Sequence, residues 1–369
     1  MNQATEPFLS APLFEPLQLG QLTLKNRMVM APLTRNRAAE GNVPAELAVE
    51  YYSQRAGVGL IVAEATQVSA TAQGYNATPG LHTPEQVAGW KQVTDAVHAQ
   101  GGRIFVQLWH TGRMSHTHFQ PDHQAPVAPS AIAAKAKTYI VGQGHVDTSV
   151  PRALTTDEIA QVVDDFRTAS RNAIEAGFDG VEIHGAHGYL IDAFLRTGAN
   201  QRTDGYGGSI ENRARFLVEV MAAVVGEIGA DRTGIRISPV SPVNDSSEPE
   251  PQPLFEHVVR ELEKLHPVYI HVVEGHTGGP RDNAPFDYDA LRALYSGVWM
   301  VNNGYTREMA VDALRTGRAD LVSFGRLMIT NPDLPRRFRE NAPLNDFFKD
   351  APLYGGQGPH GYVDYPALA

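Results

Sequence analysis

One short pattern recurs along the chain: an amphipathic helix, a glycine, then a short apolar strand. Gly57 precedes Leu60-Ile61-Val62, Gly101 precedes Ile104-Phe105-Val106, and Gly177 precedes Val181-Glu182-Ile183. Gly229 precedes Ile235-Arg236-Ile237, Gly297 precedes Val298-Trp299-Met300, and Gly317 precedes Leu321-Val322-Ser323. Each glycine is expected to carry the chain out of its helix through a left-handed turn, which other residues adopt under strain. Ahead of Tyr269-Ile270-His271 the helix stop is Pro267 instead. In the helix before Val181, Ile159, Val162, Val163, Phe166 and Ile174 share a face. Thr155 and Glu158 have the spacing of a capping box at its start.

Taking Met28–Ala31 as the first strand, eight strands alternate with helices, near 28–32, 59–65, 103–109, 180–185, 234–238, 268–274, 298–303 and 320–325. Alternation requires parallel crossovers. Eight such units favour an α/β fold closed into a (β/α)8 TIM barrel over an open doubly wound sheet. Such a barrel uses about 250 residues and accepts insertions, so residues 1–369 are expected to form a single domain. Leu17–Leu24 alternates around Gly20 and reads as an N-terminal β-hairpin. Thr111–Leu154, after the third strand, is a long insertion of the kind that shapes active sites.

Composition removes several functions. A net charge of −10 disfavours a nucleic-acid binder, which needs basic surface to displace counterions. The chain has no cysteine, which excludes disulfides, thiolate metal sites, cysteine nucleophiles and cysteine-held iron–sulfur clusters. The amino terminus, Met1–Pro16, has no basic start followed by an apolar run. No apolar stretch approaches the ~20 residues of a membrane span. A cytoplasmic protein without nucleic-acid or membrane partners is expected, as a monomer or homodimer.

In a β/α barrel the active site lies at the carboxyl ends of the strands. Those ends read Pro32-Leu33-Thr34, Ala63-Glu64-Ala65-Thr66, Gln107-Leu108-Trp109-His110 and His184-Gly185-Ala186-His187, then Arg236, Asn302-Asn303-Gly304 and Gly325-Arg326. Singly, each has a structural explanation: a turn, an ion pair, a core tryptophan. Together they put hydrogen-bonding residues at nearly every strand end. Asn303, Gly304, Gly325 and Arg326 follow strands seven and eight, where barrels bind phosphate. The glycines let backbone N–H groups approach the oxygens, and Arg326 supplies a bidentate charge.

Several runs resemble the old yellow enzyme family. They are Leu33-Thr34-Arg35, Gln107-Leu108-Trp109-His110, Glu182–Leu190, Asn200–Arg213, Phe324-Gly325-Arg326 and Leu353-Tyr354-Gly355-Gly356. The similarity extends from about Leu13 to the last residues, and Glu182–Arg213 is its most specific part. The resemblance implies a non-covalent FMN, reduced by NADPH or NADH and reoxidised by activated alkenes such as enones, maleimides and nitro compounds. By the same resemblance, Pro32, Leu33 and Thr34 lie along the flavin, with Thr34 at its O4. Ala63 and Gln107 meet the pyrimidine ring, and Arg236 sits near N1 and O2. His184 and His187 grip the substrate oxygen, Tyr189 donates the proton, and Trp109, Tyr75 and Tyr354 wall the pocket.

Two rival readings remain. His184-x-x-His187 is a possible metal pair, which would suit a metal-dependent barrel hydrolase or aldolase. No His-Glu-x-x-His and no strand-one His-x-His accompanies it, so no metal is expected. The other rival is a non-catalytic flavin-binding protein, since fold does not fix function. Gly356-x-Gly358-x-x-Gly361 formally matches a dinucleotide fingerprint but opens no helix. The nicotinamide is therefore expected to share the substrate pocket. The insertion around 131–151, with Lys135, Lys137 and His145, and the loop 239–253 receive no role from sequence.

Overall fold

The computed structural model describes residues 11–281 and 285–369. Residues 1–10, most of the stretch inspected for a signal peptide, lie outside the described residues. Strands β1 (Leu17–Leu19) and β2 (Leu22–Leu24) pair antiparallel around Gly20. Gly20 has φ +55°, and a Cβ there would sit 2.5 Å from the Asp231 carbonyl oxygen. Only glycine fits that turn.

Next come β3 (Met28–Met30), β4 (Leu60–Gln67) and β5 (Ile104–Trp109). The insertion after β5 builds β6 (Val127–Ala128), β7 (Lys137–Ile140), β8 (Gly144–Asp147) and β9 (Arg152–Ala153). β7 and β8 form an antiparallel hairpin, whereas β6 and β9 pair in parallel. The chain then makes β10 (Gly180–Gly185), β11 (Thr233–Ile237), β12 (Tyr269–Val273), β13 (Val298–Asn302) and β14 (Leu321–Phe324). β3, β4, β5 and β10 to β14 close into a parallel barrel, with β14 returning to pair with β3. Closure excludes the open doubly wound sheet.

Strand periodicity sorts side chains into two layers. Ile104, Val106, Leu108, Val181, Ile183, Ile235 and Ile237 join the large outer core beneath the helices. The inner core at the amino-terminal end is Val29, Leu60, Val62, Phe105, Tyr269, Met300 and Leu321, packed with Leu19 and Leu24 of the hairpin. The hairpin thus plugs that end of the barrel. Cβ atoms at Gly180 and Gly234 would come within 2.4 Å of the Phe105 and Tyr269 rings, so glycine makes room for both.

The helix-exit glycines divide. Gly101, Gly177, Gly229 and Gly317 have φ of +67°, +86°, +95° and +74°. Gly57 and Gly297 are not left-handed, contrary to the sequence expectation. At Gly297 the requirement is space, since a Cβ would lie 2.6 Å from the Tyr295 hydroxyl. Nothing in the structure requires glycine at position 57. The helix Pro251–Leu265 is ended by a left-handed cap at His266 (φ 47°), one residue before the Pro267 that was expected to stop it. Thr155 and Glu158 do form a reciprocal capping box on the helix Thr156–Glu175.

Candidate active site

Above the apolar plug, the inward positions of the barrel strands turn polar. Gln107, Glu182, Arg236, His271, Asn302 and Ser323 are all buried there. Gln107 Nε2 donates to Glu182 Oε1 at 2.8 Å, and His271 Nδ1 lies 2.8 Å from Glu182 Oε2. His271 Nε2 is 2.7 Å from Ser323 Oγ. Arg236 Nη2 donates to Asn302 Oδ1 at 2.8 Å. Burial works against the Glu182 carboxylate, but His271 and Arg236 hold its pKa below the usual value. Burial pushes the His271 imidazole down, so an ionised Glu182 faces a neutral His271 that donates from Nδ1. Because a carboxylate only accepts, the Gln107 nitrogen must face it, leaving the amide oxygen free for a ligand N–H.

At the carboxyl end of the barrel, four aromatic side chains surround one space. Trp109 stacks on Tyr75 with centroids 5.8 Å apart and planes at 16°, and faces His184 at 6.2 Å. Tyr189 meets Trp109 and His184 edge-on, each at 4.9 Å. The His184 and His187 rings are 5.5 Å apart at 79°. The Tyr75 and Tyr189 hydroxyls are 3.2 Å apart. Tyr354 is 69% exposed and stands near enough to Tyr75 and Tyr189 to raise both phenols electrostatically.

His187 reaches this space through a sharp turn. His187 and Gly188 are both left-handed, with φ of 61° and 72°. The turn is held from outside. Ser238 Oγ accepts from His187 N at 2.9 Å, and Asp192 Oδ2 accepts from Gly188 N at 2.8 Å. Asp192 is in turn fixed by the buried Arg196, 2.8 Å away, and by Ser246. Burial drives both His184 and His187 well below the ordinary imidazole pKa, helped by Arg236. Two neutral imidazoles result, each with an N–H to offer.

Two residues without a sequence assignment complete the site. Thr277 Oγ1 is 2.9 Å from His187 Nε2. Asn244, in the unassigned loop 239–253, donates to the His187 carbonyl at 2.9 Å and lies near enough to both phenols to lower them. Asn244 and Asp245 are left-handed (φ 61° and 59°), and the Asn-Asp pair was the one available signal, since these residues tolerate that conformation.

The remaining sequence candidates ring the barrel mouth. Pro32 is buried and Leu33 and Thr34 are half-buried directly after β3. Ala63 is buried with the outer core, just before an irregularity in the β4–β5 register. Asn303 (φ 116°) donates to the Glu274 and His276 carbonyls. A Cβ at Gly304 would meet open space, and Gly304 and Arg326 are exposed while Gly325 is half-buried. These features fit a flavin phosphate at the mouth and its ring above the polar layer. The buried Arg236 Nε, His184 Nδ1 and Trp109 Nε1 have no hydrogen-bond partner and point to the same fit. No group of three or more His, Cys, Asp or Glu among the described residues is arranged to hold a metal.

The loop after β3 is clamped by distant chain. Arg35 Nε donates to the Leu353 carbonyl at 3.0 Å and its Nη2 to that of Gly361 at 2.9 Å. Gly355 N returns a bond to the Arg35 carbonyl at 2.7 Å. Tyr362 stacks on Tyr51 at 4.3 Å. Beneath the clamp, Glu64 accepts from Arg35 N and Tyr52, and burial pushes its carboxyl up to about 7.

Comparison with known proteins agrees with this geometry. The family model described as NADH:flavin oxidoreductase / NADH oxidase family matches residues 12–345. The chain is 49% identical to 12-oxophytodienoate reductase 1 of Oryza sativa subsp. japonica, over 97% of this chain and 93% of that protein. It superposes on morphinone reductase in complex with tetrahydroNAD at TM-score 0.92 and 47% identity, covering 97% of this chain and 98% of that one. An old yellow enzyme homologue from Zymomonas mobilis gives TM-score 0.91 at 42% identity, covering 96% and 99%. No helix among the described residues is long and apolar enough to cross a membrane. The chain belongs to the NADH:flavin oxidoreductase family of FMN- and NAD(P)H-dependent ene reductases, the old yellow enzymes.

Proposed function

We propose that the aromatic space at the barrel mouth is where α,β-unsaturated carbonyl and nitro compounds are reduced, with His184, His187 and Tyr189 as the groups that act on them. The observation that carries this reading is the convergence of His184 and Tyr189, 4.9 Å apart ring to ring, beside Trp109. When bound and reduced by NAD(P)H, FMN would supply the hydride.

Pro32, Leu33, Thr34, Ala63 and Gln107 would border the flavin ring, with Arg236 at its anionic edge. Asn303, Gly304, Gly325 and Arg326 would hold the phosphate. His184 and His187, kept neutral by burial, donate N–H groups to the substrate oxygen as charge builds there, an oxyanion hole in function. Tyr189, whose phenol burial keeps protonated, gives its proton to the α-carbon. Trp109, Tyr75 and Tyr354 wall the pocket. The nicotinamide enters the same pocket before the alkene. We further propose that the chain acts as one domain, cytoplasmic, and as a monomer or homodimer.

The test is reduction of cyclohexenone by NADPH and by NADH in D2O. Deuterium from solvent should appear at the α-carbon and none at the β-carbon. Solvent label at the β-carbon, or no turnover with either nicotinamide, would overturn the reading.

A further inference from the structure

Tyr189 does not stand alone. Its hydroxyl is 3.2 Å from that of Tyr75, and the two rings meet edge to face at 88°. Tyr75 is held by far more than its contact with Trp109. Gln73 and Thr78 donate to its backbone carbonyl at 3.0 and 3.2 Å. Thr138 on β7 donates to the Gly74 carbonyl, and Asn76 donates to the Tyr139 carbonyl on the same strand. A Cβ at Gly74 would lie 2.1 Å from the Met114 carbonyl oxygen. The start of the insertion after β5 and its strand β7 therefore fix the loop that aims Tyr75 at Tyr189.

We propose that Tyr75 and Tyr189 form a two-phenol proton relay, in which Tyr75 returns to Tyr189 the proton that Tyr189 gives to the substrate. The inference rests on Tyr189 being the acid. When the enolate α-carbon is protonated, its electron pair makes the new C–H bond and the Tyr189 O–H bond breaks. As negative charge builds on the Tyr189 oxygen, the Tyr75 proton crosses the hydrogen bond to it in the same transition state, and a proton from water then restores Tyr75.

Burial pushes the Tyr75 phenol up to about 12 and the Tyr189 phenol well above 10, so both are protonated before the reaction and Tyr75 has a proton to pass on. Asn244, near both phenols, lowers both and so favours the charge at either place. Tyr75 is the positioning partner here, because it acts through Tyr189.

The experiment uses the full-length, FMN-loaded enzyme, reduced and then reoxidised by cyclohexenone in a single turnover. Wild type, Tyr75→Phe, Tyr189→Phe and the double variant are compared in mixtures of H2O and D2O. Tyr75→Phe should reoxidise about ten-fold more slowly. The bowed dependence of rate on deuterium fraction in wild type should become straight, as one proton in flight replaces two. The double variant should be no slower than Tyr189→Phe. The visible flavin spectrum and the long-wavelength band that a simple phenol gives on binding above oxidised flavin report that each variant is folded. A straight wild-type plot, a wild-type rate in Tyr75→Phe, or a double variant slowed by the product of the two effects would each overturn the relay. If Tyr189→Phe itself reoxidises at the wild-type rate, the acid assignment falls and the relay with it. A slow Tyr189→Phe beside a normal Tyr75→Phe removes the relay alone.

Discussion

Glu182 and His271 share a 2.8 Å hydrogen bond inside the barrel with neither side chain exposed to solvent. Glu182 is also the only buried carboxylate that hydrogen-bonds within the polar layer around Arg236, among the described residues. Removing it leaves a guanidinium without its compensating charge. Glu182→Ala should cost about 3 kcal/mol of stability, the scale for breaking a buried pair from one side, read by urea denaturation. Glu182→Gln keeps the shape and should lose less. It should also make bound flavin easier to reduce, shifting the midpoint potential positive, whereas Arg236→Ala should shift it negative and weaken flavin retention. Equal potentials in both variants would mean the pair does not act on the flavin.

The histidine pair is testable with a ligand that needs no turnover. A phenolate mimics the enolate, so a simple phenol above oxidised flavin should give a broad long-wavelength band. His184→Ala or His187→Ala should weaken that band and slow alkene reduction by about 10²-fold, the range for one oxyanion donor. Unchanged phenol affinity in both variants would make the pair structural. Thr277→Val should weaken the phenol complex less, because of the two histidines it touches only His187.

Tyr189→Phe separates the two halves of the cycle. Flavin reduction by the nicotinamide needs no proton from the protein, so its rate should stay close to wild type. Reoxidation by an enone should slow strongly. A nitro-alkene should suffer less in the hydride step, because its nitronate forms before any proton arrives. Stopped-flow traces of both half-reactions decide this, and a parallel fall in both would show that the ring only packs.

Acid should destabilise the fold in a defined window. His110, His184, His187 and His271 all titrate below the usual imidazole value because they are buried, His110 at about 3. Below about pH 6.5 the unfolded chain binds protons at these sites and the native chain does not. Stability is therefore present above that pH and lost as pH falls. His110 alone accounts for about 2 kcal/mol by pH 5. Glu64 has the opposite sign. Its carboxyl is raised to about 7, so between pH 7 and about 4.5 the native chain takes the proton first and gains stability. It offsets about one histidine, leaving a net loss from pH 6.5 to 5. Thermal melts across that range check the sign, and a midpoint that rises toward pH 5 would contradict it.

The barrel was legible because alternation is a local signal. Each helix–glycine–strand unit announces itself within a short window, and the hairpin around Gly20 does the same. The glycine rule still blurred two causes, since Gly297 answers to the Tyr295 hydroxyl and not to backbone conformation. Strand ends gave His184, His187 and Arg236 as candidates because inward polar residues are conspicuous in apolar strands. Glu182 and His271 are just as inward, yet the sequence does not say that they meet over the intervening strand β11. That pairing depends on strand order and on the curvature of the sheet, which bring residues 89 positions apart together. Asn244 was out of reach for another reason. Its loop has no periodicity, and it enters the site only because two consecutive left-handed residues fold it back onto His187.

The clamp between Arg35 and the segment 353–361 bears on biosynthesis. Arg35 leaves the ribosome well before its carbonyl partners, which lie 318 and 326 positions later. At a synthesis rate of about 5–20 residues per second, that loop waits tens of seconds for its fastening. β3 likewise waits for β14 before the sheet can close. A nascent chain stalled before residue 353 would therefore hold the barrel mouth unfastened. Flavin capture should wait until residues 353–361 have emerged, and ribosome-bound chains truncated at residue 350 should retain no FMN.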